Sequence, residues 1–157
     1  MRSSTSPTLA LYERLSGKPF GKALFARGVC LRAPYFSTIR PRILELRAGR
    51  VESAMAKRRA VENHLGTVHA IAMANLCEFT GGLAIEVTRP ANVRWIPRGM
   101  DIEYVKKAKT SLTAVSEIEG VDWSIEQDVP VQVRVLDAHG DTVVRAEIRM
   151  KVSPAVG

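Results

Sequence analysis

The chain has 157 residues, 46% of them hydrophobic and 25% charged, which suits one compact domain with a sizeable buried core. Lys and Arg outnumber Asp and Glu by 23 to 16, and this net charge of +7 draws anionic ligands such as phosphorylated cofactors, nucleic acid or acidic lipid. Only two cysteines, Cys30 and Cys77, are present, which argues against a disulfide framework or a Cys-based zinc site and fits a reducing, cytoplasmic setting.

The opening residues, MRSSTSPTLALYERL, lack the continuous apolar stretch of a signal peptide and turn quickly amphipathic. Ser6 before Pro7 predicts a helix start, with the hydroxyl capping an orphan donor and proline in the first turn. A short helix over Pro7 to Leu15 follows, then a break at Gly17, Pro19 and Gly21, then a second helical piece over Lys22 to Leu31. Residues 1–35 are thus expected to form an N-terminal helical extension, and residues 36–157 the main domain.

From Arg40 the period shortens. The turn signal Ala48-Gly49-Arg50 separates two strand-like runs, the second reading from Val51 to Arg59, and together they predict a hairpin. After a long apolar helix come four more strands, over Pro97 to Val105, Thr110 to Ile118, Val129 to Asp137 and Thr142 to Val152. In the last of these Val144, Ala146, Ile148, Met150 and Val152 alternate with charged residues, the period of a half-buried strand. Asp137-Ala138-His139-Gly140-Asp141 reads as a tight hairpin loop that makes the last two strands antiparallel neighbours.

The helix between the two sets of strands carries the chemical interest. AIAMANLCEFTGGLAI, from Ala70 to Ile85, contains a single formal charge, Glu78. Val68, Ala72, Leu76, Phe79 and Leu83 fall on one stripe that a sheet would cover, while Glu78 lies off it, near Ile71, Ala74, Asn75 and Gly82. That second face has no solvated charge of its own, so a further cover is expected, and a partner subunit is the simplest. The run is short of the length of a membrane span and is charged at its middle, so it reads as a buried helix. A buried carboxylate resists ionisation unless hydrogen bonds or a cation support it; such a group serves either as a base or nucleophile, or as a structural partner for an arginine. Asn63-His64-Leu65-Gly66-Thr67-Val68-His69 then places amides, imidazoles and a glycine turn at the positive end of the helix dipole, where unpaired N–H groups can receive an oxyanion.

NHLGTVHAIAMANLCE resembles the helix-start motif of hotdog-fold acyl-CoA thioesterases of the phenylacetic-acid-degradation type, approximately Asn-x-x-Gly-x-x-His-Gly-Gly followed by a helix bearing an acid. The likeness spans about Ile39 to Val152: MDIEYVKKA resembles the strand after the helix in that family, and IRP at Ile39 and WIPRGM at Trp95 are similar to an uncharacterised bacterial branch of the superfamily. The resemblance implies an α+β hotdog fold, a curved antiparallel sheet wrapped around one long central helix. It implies Glu78 as general base or nucleophile, Asn63 orienting water or thioester, His69 bracing the turn and the Ala70 N–H as oxyanion hole. Gly66, Thr67, Asn75 and Pro97 fall among the implied substrate contacts. The chain departs from the family where Ala70 and Ile71 replace two glycines, where Glu78 stands for an aspartate, and where Pro97 takes the place of a hydroxyl residue. In the family the acid crosses a dimer interface, which implies a homodimer or a tetramer of dimers.

Lys106, Lys107 and Lys109 form a cluster suited to the phosphates of coenzyme A. His64 and His69 do not make the spacing of a zinc helix, so no metal and no redox cofactor is expected. No nucleic-acid-reading motif accompanies the positive charge. The expected activity is hydrolysis of an acyl-CoA or acyl-carrier-protein thioester. The alternatives are an enoyl-thioester dehydratase or hydratase using His64 with Glu78, and a non-catalytic acyl-thioester binding module. Trp95 and Trp123 read as packing residues or as walls of an acyl tunnel.

Overall fold

A computed structural model describes residues 5–155. Its chain order is α1 (Pro7–Ser16), α2 (Gly21–Arg32), a 3₁₀ turn at Pro34–Ile39, β1 (Arg42–Arg47), β2 (Arg50–Met55), α3 (Ala70–Thr88), β3 (Val93–Tyr104), β4 (Leu112–Glu117), β5 (Gln127–Leu136) and β6 (Thr142–Pro154). The strands form one antiparallel sheet in the order β1-β2-β4-β5-β6-β3, and α3 touches all six of them. This is the expected hotdog arrangement, with one long helix held in a curved sheet.

The alternation in the last two strands translates directly into packing. Val129, Val131, Val133 and Val135 of β5 and Val144, Ala146, Ile148, Met150 and Val152 of β6 are all buried. The intervening loop closes as expected: the Asp137 carboxylate accepts from the N–H groups of His139 (2.9 Å) and Asp141 (3.0 Å), and Gly140 takes φ +84°. Helix α3 lies so close to this pair of strands that a Cβ at Gly81 would stand 2.9 Å from Ile148 Cδ1 and 3.1 Å from Val133 Cγ2. Glycine in mid-helix costs about 1 kcal/mol against alanine, and here the close approach of the sheet accounts for it.

A carboxylate near the far end of α3 ties the N-terminal helices to the core. Glu86 accepts from Thr8 Oγ1 of α1 (2.7 Å), from Arg89 Nη2 (2.8 Å) and Nε (2.9 Å), and from Trp95 Nε1 of β3 (2.7 Å). Burial works to raise its pKa, but the donors from Arg89, Trp95 and Thr8 outweigh it and hold the group below the usual glutamate range. Leu9 and Tyr12 of α1 and Phe25 and Ala26 of α2 join the same core as α3, so the extension is packed onto the main domain. Residues 1–4 of that extension lie outside the described residues.

Several boundaries differ from the sequence reading. Ser6 makes no side-chain cap, and Pro7 alone marks the first turn of α1. Strand β2 stops at Met55, four residues short of Arg59, because the chain turns there to let the Lys57 N–H donate to Ser111 Oγ (3.0 Å). Strand β3 begins at Val93, so Pro97 is inside it, not at its start. Proline is tolerated there because β3 is an edge strand, and the register slips between Pro97 and Gly99. Helix α3 is long and apolar enough to cross a membrane by composition, yet most of it is buried in the fold.

Candidate active site

The segment before α3 is a compact turn built around Asn63. Its Oδ1 accepts from the N–H groups of Leu65 (2.9 Å) and Thr67 (3.2 Å), its Nδ2 donates to Thr67 Oγ1 (2.9 Å), and its backbone N–H donates to Thr67 O (2.9 Å). Gly66 supplies the positive φ, +73°, that closes the turn. Asn63 and Thr67 therefore spend their side chains on each other and on the loop. The place implied for Asn63, facing water or thioester, is taken by a structural task.

The loop ends by aiming α3. His69 is the N-cap, and its Nδ1 accepts from the Ile71 N–H at 3.0 Å. The cap occupies Nδ1 and leaves Nε2 as the ring's free nitrogen. The Ala70 N–H precedes any carbonyl that could serve it within the helix. From the other side Tyr104 OH of β3 donates to Ala70 O (3.1 Å), and the Val68 N–H donates to Ala108 O (2.8 Å), pinning the first turn to the loop after β3. Burial, with the Cys77 thiol beside it, pushes the Tyr104 phenol up, and burial lifts Cys77 itself to about 12. Both stay protonated at neutral pH.

A cleft of about 210 Å³ opens beside this helix end, lined by His69, Ile71, Ala72 and Asn75 of the α3 region, by Glu62, and by Tyr35 and Thr38 of the 3₁₀ turn. Asn75 is only 6% exposed; its Nδ2 donates to Thr38 Oγ1 (3.1 Å), but its Oδ1 is buried without a partner among the described residues. An unpaired buried carbonyl is costly, so a ligand or water donor at this point is favoured. Sequence reading named Asn75 but missed Tyr35, Thr38 and Glu62; Pro34 was the one sign that a turn lay there. Glu62 is held by Lys57 Nζ at 2.7 Å.

Glu78 lies three residues beyond Asn75, about 4.5 Å along the helix axis. It is half-buried, with no hydrogen-bond or ion-pair partner among the described residues. Around it the strip formed by Ile71, Ala74 and Glu78 is only partly covered, and Ile71 is exposed. The near-complete cover expected for the second face of α3 is thus incomplete at this end of the helix. At the other end Trp95 stacks over Gly82 and provides it.

The remaining sequence candidates are dispersed. Lys106 is bound to Asp137 (2.9 Å) and Asp141 (2.7 Å) of the β5–β6 loop, and these partners, Asp137 first, raise its pKa. Lys107 and Lys109 are exposed and flank Ala108, the residue that pairs with Val68 at the start of α3. Pro97 and the exposed His64 do not line the cleft. No cluster of His, Cys, Asp and Glu suited to a metal occurs among the described residues.

A six-stranded antiparallel sheet around one long helix, with a capped helix start opening on a cleft, defines a hotdog-fold protein. The chain belongs to the family described as "Domain of unknown function (DUF4442)", which it matches over residues 21–152. It is similar to a crystallographically solved structural-genomics protein at 40% identity, covering 96% of this chain and 98% of that one with a TM-score of 0.83. A Pseudomonas aeruginosa protein described as "of Unknown Function … Probable Thioesterase" shares the fold at 18% identity, 84% and 95% coverage and TM-score 0.73. A Haemophilus influenzae thioesterase does so at 12% identity, 78% and 85% coverage and TM-score 0.69. No curated protein sequence matches the chain.

Proposed function

We propose that the protein is a homodimeric hydrolase of acyl thioesters, carried on coenzyme A or an acyl carrier protein. The observation that carries this reading is the cleft at the start of α3, into which the buried Asn75 brings an Oδ1 without a partner among the described residues, one turn from the half-buried Glu78. The thioester carbonyl oxygen of the substrate sits at the Ala70 N–H, at the positive end of the helix. Asn75 Oδ1 accepts a hydrogen from the attacking water. Glu78 takes the water proton as the C–O bond forms, and returns it to the departing sulfur as the C–S bond breaks, leaving acid and thiol. His69 holds the turn through its cap, and Asn63 acts by shaping the loop.

The partly covered strip of Ile71, Ala74 and Glu78 supports the dimer. A two-fold axis that pairs two such strips antiparallel brings the start of one α3 to Glu78 of the other. The free outer edge of β3, beside the same helix face, offers a continuous surface for this contact. Lys107 and Lys109 then stand close enough to the helix start to meet phosphates of the carrier, while Lys106 stays engaged with its aspartates. The free cysteines suit a reducing, cytoplasmic location. Release of free thiol from a panel of acyl-CoA substrates tests the reading: wild-type protein turns over at least one of them, and Glu78→Gln lowers kcat by about 10²–10⁴ with the fold intact. Equal turnover by the variant removes Glu78 from the reaction.

A further inference from the structure

We propose that the outer surface of the α1–α2 layer docks on an anionic lipid bilayer. The charge of the chain is concentrated there. Between Arg14 and Leu44 there are seven Lys or Arg and no Asp or Glu, so the rest of the chain, with sixteen of each sign, is neutral. Five of the seven, Arg14, Lys18, Lys22, Arg27 and Arg32, lie on α1, α2 and the turn between them, against the single acid Glu13.

The same layer exposes apolar side chains in a regular row. Helix α2 buries Phe25 and Ala26 against the core, and on the opposite face presents Leu24 (59% exposed) and Leu31 (82% exposed). Phe20, Leu24, Arg27 and Leu31 are spaced by four, three and four residues, which aligns them in one stripe over three turns. Phe20 is 88% exposed and sits in the left-handed region at φ 58°, where a bulky residue is disfavoured. The following Gly21 packs so closely on the end of α1 that a Cβ there would strike Leu15 O at 1.7 Å. The fold therefore holds an aromatic ring outward, with Arg27 within the stripe and Arg32 at its edge, while Lys22 turns toward β1 and donates to Leu44 O (2.8 Å). Behind α2 lies a groove of about 770 Å³ whose walls include Leu31, Leu44, Lys22 and Arg42 and no carboxylate.

A convex apolar ridge with cationic flanks is the pattern of a helix lying in the plane of a membrane surface, apolar residues among the acyl chains and basic residues at the headgroups. A second copy of the chain is a poorer occupant, because a two-fold contact would set like charge on like charge. Nucleic acid would meet its phosphates with aliphatic groups at the centre of the patch.

Co-sedimentation of the full chain with vesicles is the test. The protein is expected to pellet with phosphatidylcholine vesicles containing phosphatidylglycerol, to stay in solution with phosphatidylcholine alone, and to be released by salt. Leu24→Glu with Leu31→Glu should reduce the bound fraction at least about tenfold while thermal unfolding is unchanged, since both side chains face solvent. Arg27→Glu with Arg32→Glu should abolish the preference for the anionic lipid. Absence of pelleting, or pelleting that survives the two leucine changes, overturns the proposal. Tight binding of duplex DNA that ignores the leucines, or a dimer that dissociates when they are changed, does so too by assigning the patch to another occupant. None of these outcomes depends on thioester hydrolysis.

Discussion

Replacing Glu86 by glutamine keeps the size of the side chain and changes one oxygen into an amide nitrogen. Oε1 accepts from Thr8 Oγ1 and Arg89 Nη2, and Oε2 from Arg89 Nε and Trp95 Nε1. An amide nitrogen at the Oε2 place faces two N–H donors, one at the Oε1 place faces Arg89 Nη2 while Thr8 can turn its hydroxyl to accept, and in both the Arg89 charge loses its counter-ion. Two charge-assisted hydrogen bonds at roughly 1.5 kcal/mol each give a loss of about 3 kcal/mol. In equilibrium urea unfolding that is a shift of the midpoint by roughly 1–2 M, without a change of slope. The effect has a pH signature. The folded-state pKa of Glu86 lies below the usual glutamate value of 4.5, so its stabilising contribution is complete above that pH and drains away as pH falls through the lowered folded value. The gap between wild type and Glu86→Gln should narrow in acid. A loss below about 0.5 kcal/mol at neutral pH, or a gap that widens in acid, would refute the reasoning.

Three further outcomes follow from the geometry. Gly81→Ala should be within about 1 kcal/mol of wild type in the same unfolding assay, because the Ile148 methyl can swing aside, whereas Gly81→Leu should cost about 3 kcal/mol by forcing α3 off β5 and β6. Cys77, buried with its thiol pushed up to about 12, should resist iodoacetamide in the native protein while the partly exposed Cys30 is alkylated, as read by intact-mass and peptide spectrometry. Lys107→Ala with Lys109→Ala should raise KM for acyl-CoA about tenfold and leave KM for an acyl-pantetheine, which lacks the nucleotide phosphates, unchanged.

Periodicity made most of the fold legible. The alternation in β5 and β6 survives into the structure residue for residue, as does the loop between them, because both strands pack one face on α3. The apolar run from Ala70 identified the central helix, since an element with one charge in sixteen residues must be largely buried. What failed was set by tertiary context. Pro97 looked like a strand boundary, but the edge position of β3 leaves room for a residue without an N–H. The 3₁₀ turn that supplies Tyr35 and Thr38 to the cleft has no period to read. Asn63 carried the right residue type at the right spacing for a site role, and only the hydrogen bonds to Leu65 and Thr67 reveal its use inside the loop. Lys106 likewise could not be told from Lys107 and Lys109 until Asp137 and Asp141 came close to it in space. The orphaned Asn75 oxygen is a property of packing alone.

Complementation between two disabled subunits tests the central claim most directly, that Glu78 of one subunit serves the helix start of the other. Ala70→Pro removes the backbone N–H at the first helical position, where proline is favoured, and His69 already has the extended backbone (φ −65°, ψ 138°) that precedes proline. Ala70→Pro and Glu78→Gln homodimers should each be inactive in the thiol-release assay. Equal mixing with subunit exchange should restore roughly one quarter of wild-type activity, because half the dimers are mixed and each of these holds one site with both groups intact. No recovery in dimers shown to have exchanged would place the acid and the helix start in the same chain, or outside the reaction, and would contradict the account.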